Sequence, residues 1–414
     1  MLALVAIMAI LLAWGLVAGR LARWSITAPI AMVVAGTVLT AGADPVFALD
    51  LDTSSVERAV EVVLAVLLFV DATEVRGGML GARPKLTLRL LLVALPLSLV
   101  AAVLIGALVF PSESFWLLAA MATIVMPTDL APAAAVIRDR RVPGWLRHLL
   151  NVESGYNDGA VAPIFLFCLA AAHTQEGGAP DLGALLSAVP ALLVAVAVGA
   201  AVGWPAGWLL KHAYAREWTQ PSALRLAVLA LPVMAYGLAN VWSGNGFVAA
   251  FVAGVIFAPA TRNLPPDALH FSEDTGTLLG LFIWFIFGRL ITETLFDGTS
   301  LAIAIYAVLV ISVARVLPVM LSLLRTDVPI VDRLFLGWVG PRGLASIVFG
   351  LLAYVSLSPP KNDFVGEVMV ITVLMSVVLH GLSYGPIVRA YGRRRGRSPV
   401  DREDLGDAEQ ARSD

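Results

Sequence analysis

Thirteen stretches of this chain are long and apolar enough to lie across a bilayer, and they limit the possible folds more than any other feature. Their approximate bounds are 1–19, 25–43, 57–75, 87–110, 115–137, 146–172, 184–210, 223–242, 245–260, 274–295, 299–324, 333–357 and 366–390. A segment in hydrocarbon must satisfy its own backbone hydrogen bonds, so stretches of this length are expected to be helices. The expected fold class is therefore an all-α polytopic membrane protein. Composition agrees: 59% of the 414 residues are hydrophobic and 14% are charged, against about a quarter charged in a soluble domain. The first segment has no basic n-region and reaches Arg20 without a cleavage-site pattern, so it is expected to be a span rather than a signal peptide. One cysteine, Cys168, excludes an intrachain disulfide. A net charge of −2 points to no nucleic acid.

Basic residues give the expected orientation. Of 28 Lys and Arg, 23 fall in the loops after odd-numbered segments or in the C-terminal tail, two (Arg58 and Lys361) fall in the opposite loops, and Arg289, Arg315 and Arg342 lie inside apolar segments. Basic loops stay in the cytoplasm. The N-terminus is thus expected outside and the tail inside. The tail after Tyr391 lacks apolar periodicity and is expected to be disordered, with RRRGR as a cytoplasmic anchor or a contact to anionic lipid.

Ionisable residues at membrane depth are costly and therefore mark function. Asp129 lies in IVMPTDLAPAAAV between Pro127 and Pro132, a pattern expected to unwind the fifth helix. The twelfth segment carries a second break, GPRG, around Arg342. Broken segments in corresponding halves point to a transporter's binding site. Residues 153–159 read ESGYNDG. On a helix Glu153 and Asn157 share one face, and Ser154 and Asp158 the neighbouring one. A buried Glu153 needs a cation, and Arg342 is the expected partner because guanidinium remains charged and binds carboxylate bidentately. Asp158 is then left without a counter-ion. Burial penalises its charged form, so proton and cation can compete for one group near physiological pH.

The remaining charges carry lesser expectations. Asp71 and Glu74, in LLFVDATEVR, lie near the inner end of the third segment, Asp71 within reach of a cavity and Glu74 at the interface. Arg289 and Glu293 are four apart and expected to pair. Arg315 is expected to brace a carboxylate or a helix end, and His380 to be a satisfied core histidine. No P-loop, metal-ligating His/Cys cluster or nucleophile elbow occurs in the sequence, so neither an enzyme nor a nucleotide-driven pump is expected.

ESGYNDG, PTD and GPRG, in that order over about thirteen spans, resemble the monovalent cation/proton antiporter-1 family, the NhaP-type sodium/proton exchangers. The resemblance covers residues 1–391. It implies inverted repeats with two crossed broken helices. The expected division is dimerisation helices in 1–75, core helices in 87–172, linking and interface helices in 184–295, core helices in 299–391 and a tail from 392. It implies a homodimer in the plasma membrane, without cofactor, in which the core moves as an elevator. Asp158 resembles the shared cation/proton carboxylate. Thr128, Asp129 and Ser154 resemble its companions around Na⁺, and Asp71 a further acid. Asn157 resembles the amide that replaces a second carboxylate in electrogenic relatives, which implies one-for-one exchange. Glu153 and Arg342 resemble a stabilising ion pair, with Glu74 and Arg315 as accessory charges. The family's usual Asp-Pro is Asp129-Leu130 here, which opens Na⁺, Li⁺ and K⁺ alike as cargo. A K⁺/H⁺ antiporter, a sodium-coupled organic anion symporter and a non-transporting sensor are the competing readings.

Overall fold

The computed structural model describes residues 2–21, 27–40, 54–73, 83–133, 136, 139, 141–174, 182–265 and 267–395. Each expected segment contains a helix or at least one half-helix. The first four are α1 (Leu2–Leu21), α2 (Ala28–Thr40), α3 (Ser54–Thr73) and α4 (Pro84–Val109). The fifth is a half-helix, α5 (Phe115–Val125), followed by a non-helical stretch and one 3₁₀ turn at Ala131–Ala133. Then come α6 (Gly144–Thr174), α7 (Leu182–Ala215), α8 (Pro221–Val241), α9 (Gly246–Phe257), α10 (His270–Asp297) and α11 (Leu301–Ser322). The twelfth segment divides into α12 (Ile330–Trp338) and α13 (Leu344–Ser356), and α14 (Lys361–Arg395) is the thirteenth. Seven of these helices contain at least 18 residues at membrane-like hydropathy. Leu16, Leu108, Leu193 and Leu301 are more than half exposed, as expected of side chains that meet lipid rather than water.

Two features interrupt otherwise continuous helices. Residues 90–94 of α4 form a π turn, and α11 is irregular at Ser312. Helix α5 stops where Pro127 removes a backbone donor, and α12 stops before Gly340-Pro341.

The chain packs through small residues. Helix α2 lies against α10, and a Cβ on Gly36 would strike the Phe285 carbonyl while one on Gly288 would strike that of Val33. Thr37 Oγ1 donates to Gly288 O at 3.0 Å across the same seam. This is the close-approach packing expected where hydrocarbon supplies little drive to associate. Helices α7, α8 and α9 share an apolar cluster with the end of α3, and α5, α6, α11, α13 and α14 share another. The cavity described next lies where α2, α3 and α10 face α6 and the two breaks.

Candidate functional site

The two breaks meet back to back. Asp129 N–H donates to Pro341 O at 2.8 Å, and Leu344 N–H donates to Asp129 Oδ2 at 2.9 Å. Asp129 Oδ1 accepts from Ala131 N at 2.7 Å. One carboxylate thus serves the N-terminal amides of both the 3₁₀ turn and α13, where negative charge is favoured. Arg342 does the converse. Its guanidinium donates to Met126 O at 3.0 Å and Gly340 O at 3.2 Å, the carbonyls left by the ends of α5 and α12. Gly343 admits this crossing: a Cβ there would overlap the Asp129 carboxylate. Gly343→Ala is expected to cost about 2 kcal/mol or more, in the range of core overpacking, and to show as a lowered Tm and loss of cation-dependent stabilisation.

The expected Glu153–Arg342 pair is not what forms. Arg315, from α11, donates Nη1 to Glu153 Oε1 at 2.6 Å and Nη2 to Oε2 at 2.7 Å, with both side chains 2% exposed. The reason lies in the break. Half-helix carbonyls, those of Met126 and Gly340, hold the Arg342 guanidinium, whereas the Arg315 guanidinium meets Glu153 on α6. Arg315 therefore braces a carboxylate, as its position suggested.

Around Thr128 the donors and acceptors are sorted. Ser154 Oγ donates to Thr128 O at 2.9 Å, and Asn157 Nδ2 donates to Thr128 O at 3.1 Å and to Thr128 Oγ1. Ser154 and Asn157 thereby spend hydrogens in clamping the broken backbone to α6. What remains is oxygen: Asn157 Oδ1 and Asp158 Oδ1 are buried without a hydrogen-bond partner. Lone pairs without hydrogens suit a hard monovalent cation or a proton. Among the described residues no three His, Cys, Asp or Glu converge as a polydentate metal site. The donor set at this point is one carboxylate and neutral oxygens.

Asp158 is 6% exposed and lines a cavity of about 390 Å³. Asp71, Asp129, Ser154 and Asn151 share the lining, and among the described residues no Lys or Arg does. Ala28 and Pro29 at the start of α2, Asp71 at the end of α3, Asn151 near the start of α6 and Glu273 in the first turn of α10 all contribute to its wall. Those helix ends adjoin the loops rich in Arg and Lys, and the wall deepens to Asp158 and Trp284. Glu74, the 396–414 tail and the side chain of Glu293, hence the expected Arg289–Glu293 pair, lie outside the described residues.

Glu273 was missed by sequence reasoning because the tenth segment was bounded at 274, whereas α10 starts at His270. An acid at the edge of an apolar run, followed by small residues at 276 and 280, was the available signal. His380 was expected to be an ordinary satisfied core residue. It is buried, and its ring nitrogens reach Ser376 and the Trp338 carbonyl at the second break.

Known proteins share this architecture. The sodium proton antiporter MjNhaP1 from Methanocaldococcus jannaschii superposes with a TM-score of 0.77 at 19% identity, over 95% of this chain and 100% of that one. A Na(+)/H(+) antiporter of Schizosaccharomyces pombe is 23% identical over 79% of this chain and 76% of its own length. The K(+)/H(+) antiporter NhaP of Alkalimonas amylolytica is 29% identical over 40% of this chain, a match spanning only 28% of that relative. The family profile described as sodium/hydrogen exchanger, transmembrane, matches residues 3–390. With nearly the whole chain inside that match, the protein belongs to the sodium/hydrogen exchanger family, a family of multi-pass membrane transporters and not of enzymes.

Proposed function

We propose that this protein is a secondary antiporter that exchanges Na⁺, or Li⁺, for H⁺ across the plasma membrane by competition for Asp158. The observation that carries the proposal is a buried carboxylate with an unpartnered oxygen at the end of an acidic cavity. Cation and proton cannot both occupy that oxygen, so each displaces the other. Ser154 and Thr128 supply neutral oxygens beside it, and Asn157 holds the broken strand without adding a second charge. Asp129, with each carboxylate oxygen accepting an amide, contributes mainly by fixing the crossing. One titrating acid per cycle makes the exchange one for one and electroneutral. The cavity wall at the basic-loop end supports a conformation loaded from the cytoplasm, with the core moving against α2, α3 and α10 in a homodimer. The name of the Alkalimonas relative, together with Leu130 after Asp129, supports K⁺ as the alternative cargo on the same scaffold.

Proteoliposomes with an imposed pH gradient test the reading. Addition of Na⁺, Li⁺ or K⁺ should collapse the gradient, and clamping the membrane potential should leave the rate unchanged. Collapse with none of the three by folded protein would move the assignment to a symporter or sensor. Collapse by K⁺ alone would select the alternative cargo.

Glu273 extends the argument. It lines the same cavity as Asp158, and a negative mouth raises the local cation concentration. Glu273→Gln should raise the apparent KM for the cation about two- to fivefold with Vmax unchanged, and the difference should shrink at ionic strength near 1 M, where charges are screened beyond about 3 Å. Flux measured against cation concentration at two ionic strengths checks this.

A further inference from the structure

Residues 339–343, between α12 and α13, are non-helical and buried. Buried backbone polar groups require partners. Two at this break find theirs on α14. Arg342 N–H donates to Ser376 Oγ at 2.8 Å, and His380 Nε2 lies 3.0 Å from Trp338 O. Ser376 Oγ and His380 Nδ1 are 3.0 Å apart, one helical turn along the same face of α14, and both residues are at most 1% exposed.

Nδ1 also lies 2.8 Å from Ser376 O, and a neutral ring has one hydrogen to place between the two carbonyls it faces. Ser376 O lies inside α14, where the His380 amide is its helical donor, whereas Trp338 O has lost its own because Arg342 N–H turns to Ser376 Oγ; the ring hydrogen therefore belongs on Nε2, facing Trp338 O. A backbone N–H only donates, so Ser376 Oγ accepts from Arg342 and its own hydrogen is left to donate. Nδ1 of the Nε2–H tautomer is the acceptor for it. The bonds run Arg342 N–H to Ser376 Oγ, Ser376 O–H to His380 Nδ1, and His380 Nε2–H to Trp338 C=O. A protonated ring would turn Nδ1–H to the Ser376 carbonyl and leave the Ser376 hydroxyl hydrogen without this acceptor. It would also add a third positive charge near Arg342 and Arg315, the cations that bear on this ring. Trp338 and Tyr384 supply its remaining ring contacts, with centroids 5.5 Å away in each case.

We propose that Ser376 and neutral His380 are positioning residues for the ion site. They form a side-chain splice that replaces the missing helical hydrogen bond across the α12–α13 break. The splice holds Arg342 N and Trp338 O at a fixed separation. Between them lies the Pro341 carbonyl, which accepts from Asp129 N, and just beyond lies the Leu344 amide, which donates to Asp129 Oδ2. Gly340 abuts the Thr128 methyl, and the Thr128 carbonyl is clamped by Ser154 and Asn157 beside Asp158. The order imposed at His380 thus reaches the site through a short run of bonded or touching groups. The positioning role rests on the cation reading of Asp158; the splice itself does not.

Two arms test it on the full chain. In the first, protein labelled with ¹⁵N in its five histidine rings is measured by NMR from about pH 6 to about pH 9, the range over which an ordinary imidazole loses its proton. His380→Gln assigns the signal. The expected result is one ring with bare Nδ1 and protonated Nε2 throughout. An Nδ1–H tautomer or an imidazolium for His380 overturns the splice. In the second arm, Ser376→Ala, His380→Ala and His380→Gln are compared for cation KM and for the rise in Tm on adding Na⁺. Loss of one buried hydrogen bond corresponds to about a fivefold change, so the two alanine variants should raise KM by about that factor and lose part of the Na⁺-dependent rise. Glutamine can donate to Trp338 O and accept from Ser376, so His380→Gln should restore KM to within about twofold. Lower basal Tm with unchanged KM and an unchanged Na⁺ effect in all three would make the pair a plain brace and overturn the positioning role. If His380→Ala does not fold, Ser376→Ala, which removes one oxygen, decides the same question. A wild-type protein with no cation-driven flux and no Na⁺ effect on Tm overturns the positioning role together with the cation reading, while the NMR arm still decides the splice.

Discussion

Asp158→Asn is expected to leave a folded protein in which no added cation collapses a pH gradient above the vesicle leak. The substitution keeps the size of the side chain and removes what exchange requires. An amide neither takes up a proton in this pH range nor offers a cation a full negative charge. The position is 6% exposed, and among the described residues no guanidinium lines its cavity or bonds its unpartnered oxygen, so the change strands none. Removing a buried charge also removes its desolvation cost, so thermal stability should change by no more than about 1 kcal/mol in either direction, as for many tolerated substitutions. Na⁺ should lose its effect on Tm as well, because binding of a ligand only to the folded state is what raises it. Flux and Tm measured on the same preparation check both halves. Persistent cation-driven flux in the variant would transfer the carrier role to Asp71 or Glu273, the other acids on the cavity wall that are not committed to capping α13.

Much of this was legible in the chain because membrane depth makes local signals strong. Hydrocarbon forces helical segments, so thirteen apolar runs gave thirteen helices or broken helices with edges within a few residues, apart from the break that ends α5 early at Val125. Pro127 and the Gly340-Pro341 pair marked both breaks through the backbone chemistry of proline, which needs no tertiary information. Pairing was harder. Arg315 and Arg342 are both arginines within apolar segments, and nothing in spacing says which one faces Glu153. That choice depends on where the crossing leaves bare carbonyls, a property of two segments some 200 residues apart. Sorting donors from acceptors around Thr128 has the same origin. Ser154 and Asn157 were recognisable as site residues, but that they spend their hydrogens on a backbone carbonyl follows only once the break is placed against α6. His380 shows the limit most clearly: a lone histidine on an apolar helix has no pattern, and its role comes entirely from the broken helix beside it.

Arg315→Ala is expected to cause the largest loss of stability of any single substitution considered. The guanidinium makes two short hydrogen bonds to Glu153 where neither partner meets solvent. Removing it leaves a carboxylate that must stay charged without a partner, take up a proton, or draw water into the core. Breaking a buried pair in this way costs about 3–5 kcal/mol, enough to consume much of a typical folding free energy, and the protein should be recovered in low yield with a sharply lowered Tm. The loss should belong to the stranded charge rather than to the missing side chain. Glu153→Gln placed in the Arg315→Ala background should therefore recover a substantial part of the stability, and the double-variant cycle should show coupling well above about 0.5 kcal/mol, the level at which independent sites add. Arg342→Ala makes the informative contrast. Its partners are carbonyl oxygens, several of which can be met by other donors or by water, so no formal charge is abandoned. It should cost less than Arg315→Ala, and Glu153→Gln should not rescue it. Thermal unfolding of the five variants separates the two arginines. Rescue of Arg342→Ala rather than Arg315→Ala would restore Arg342 as the partner of Glu153 and remove the present account of the break.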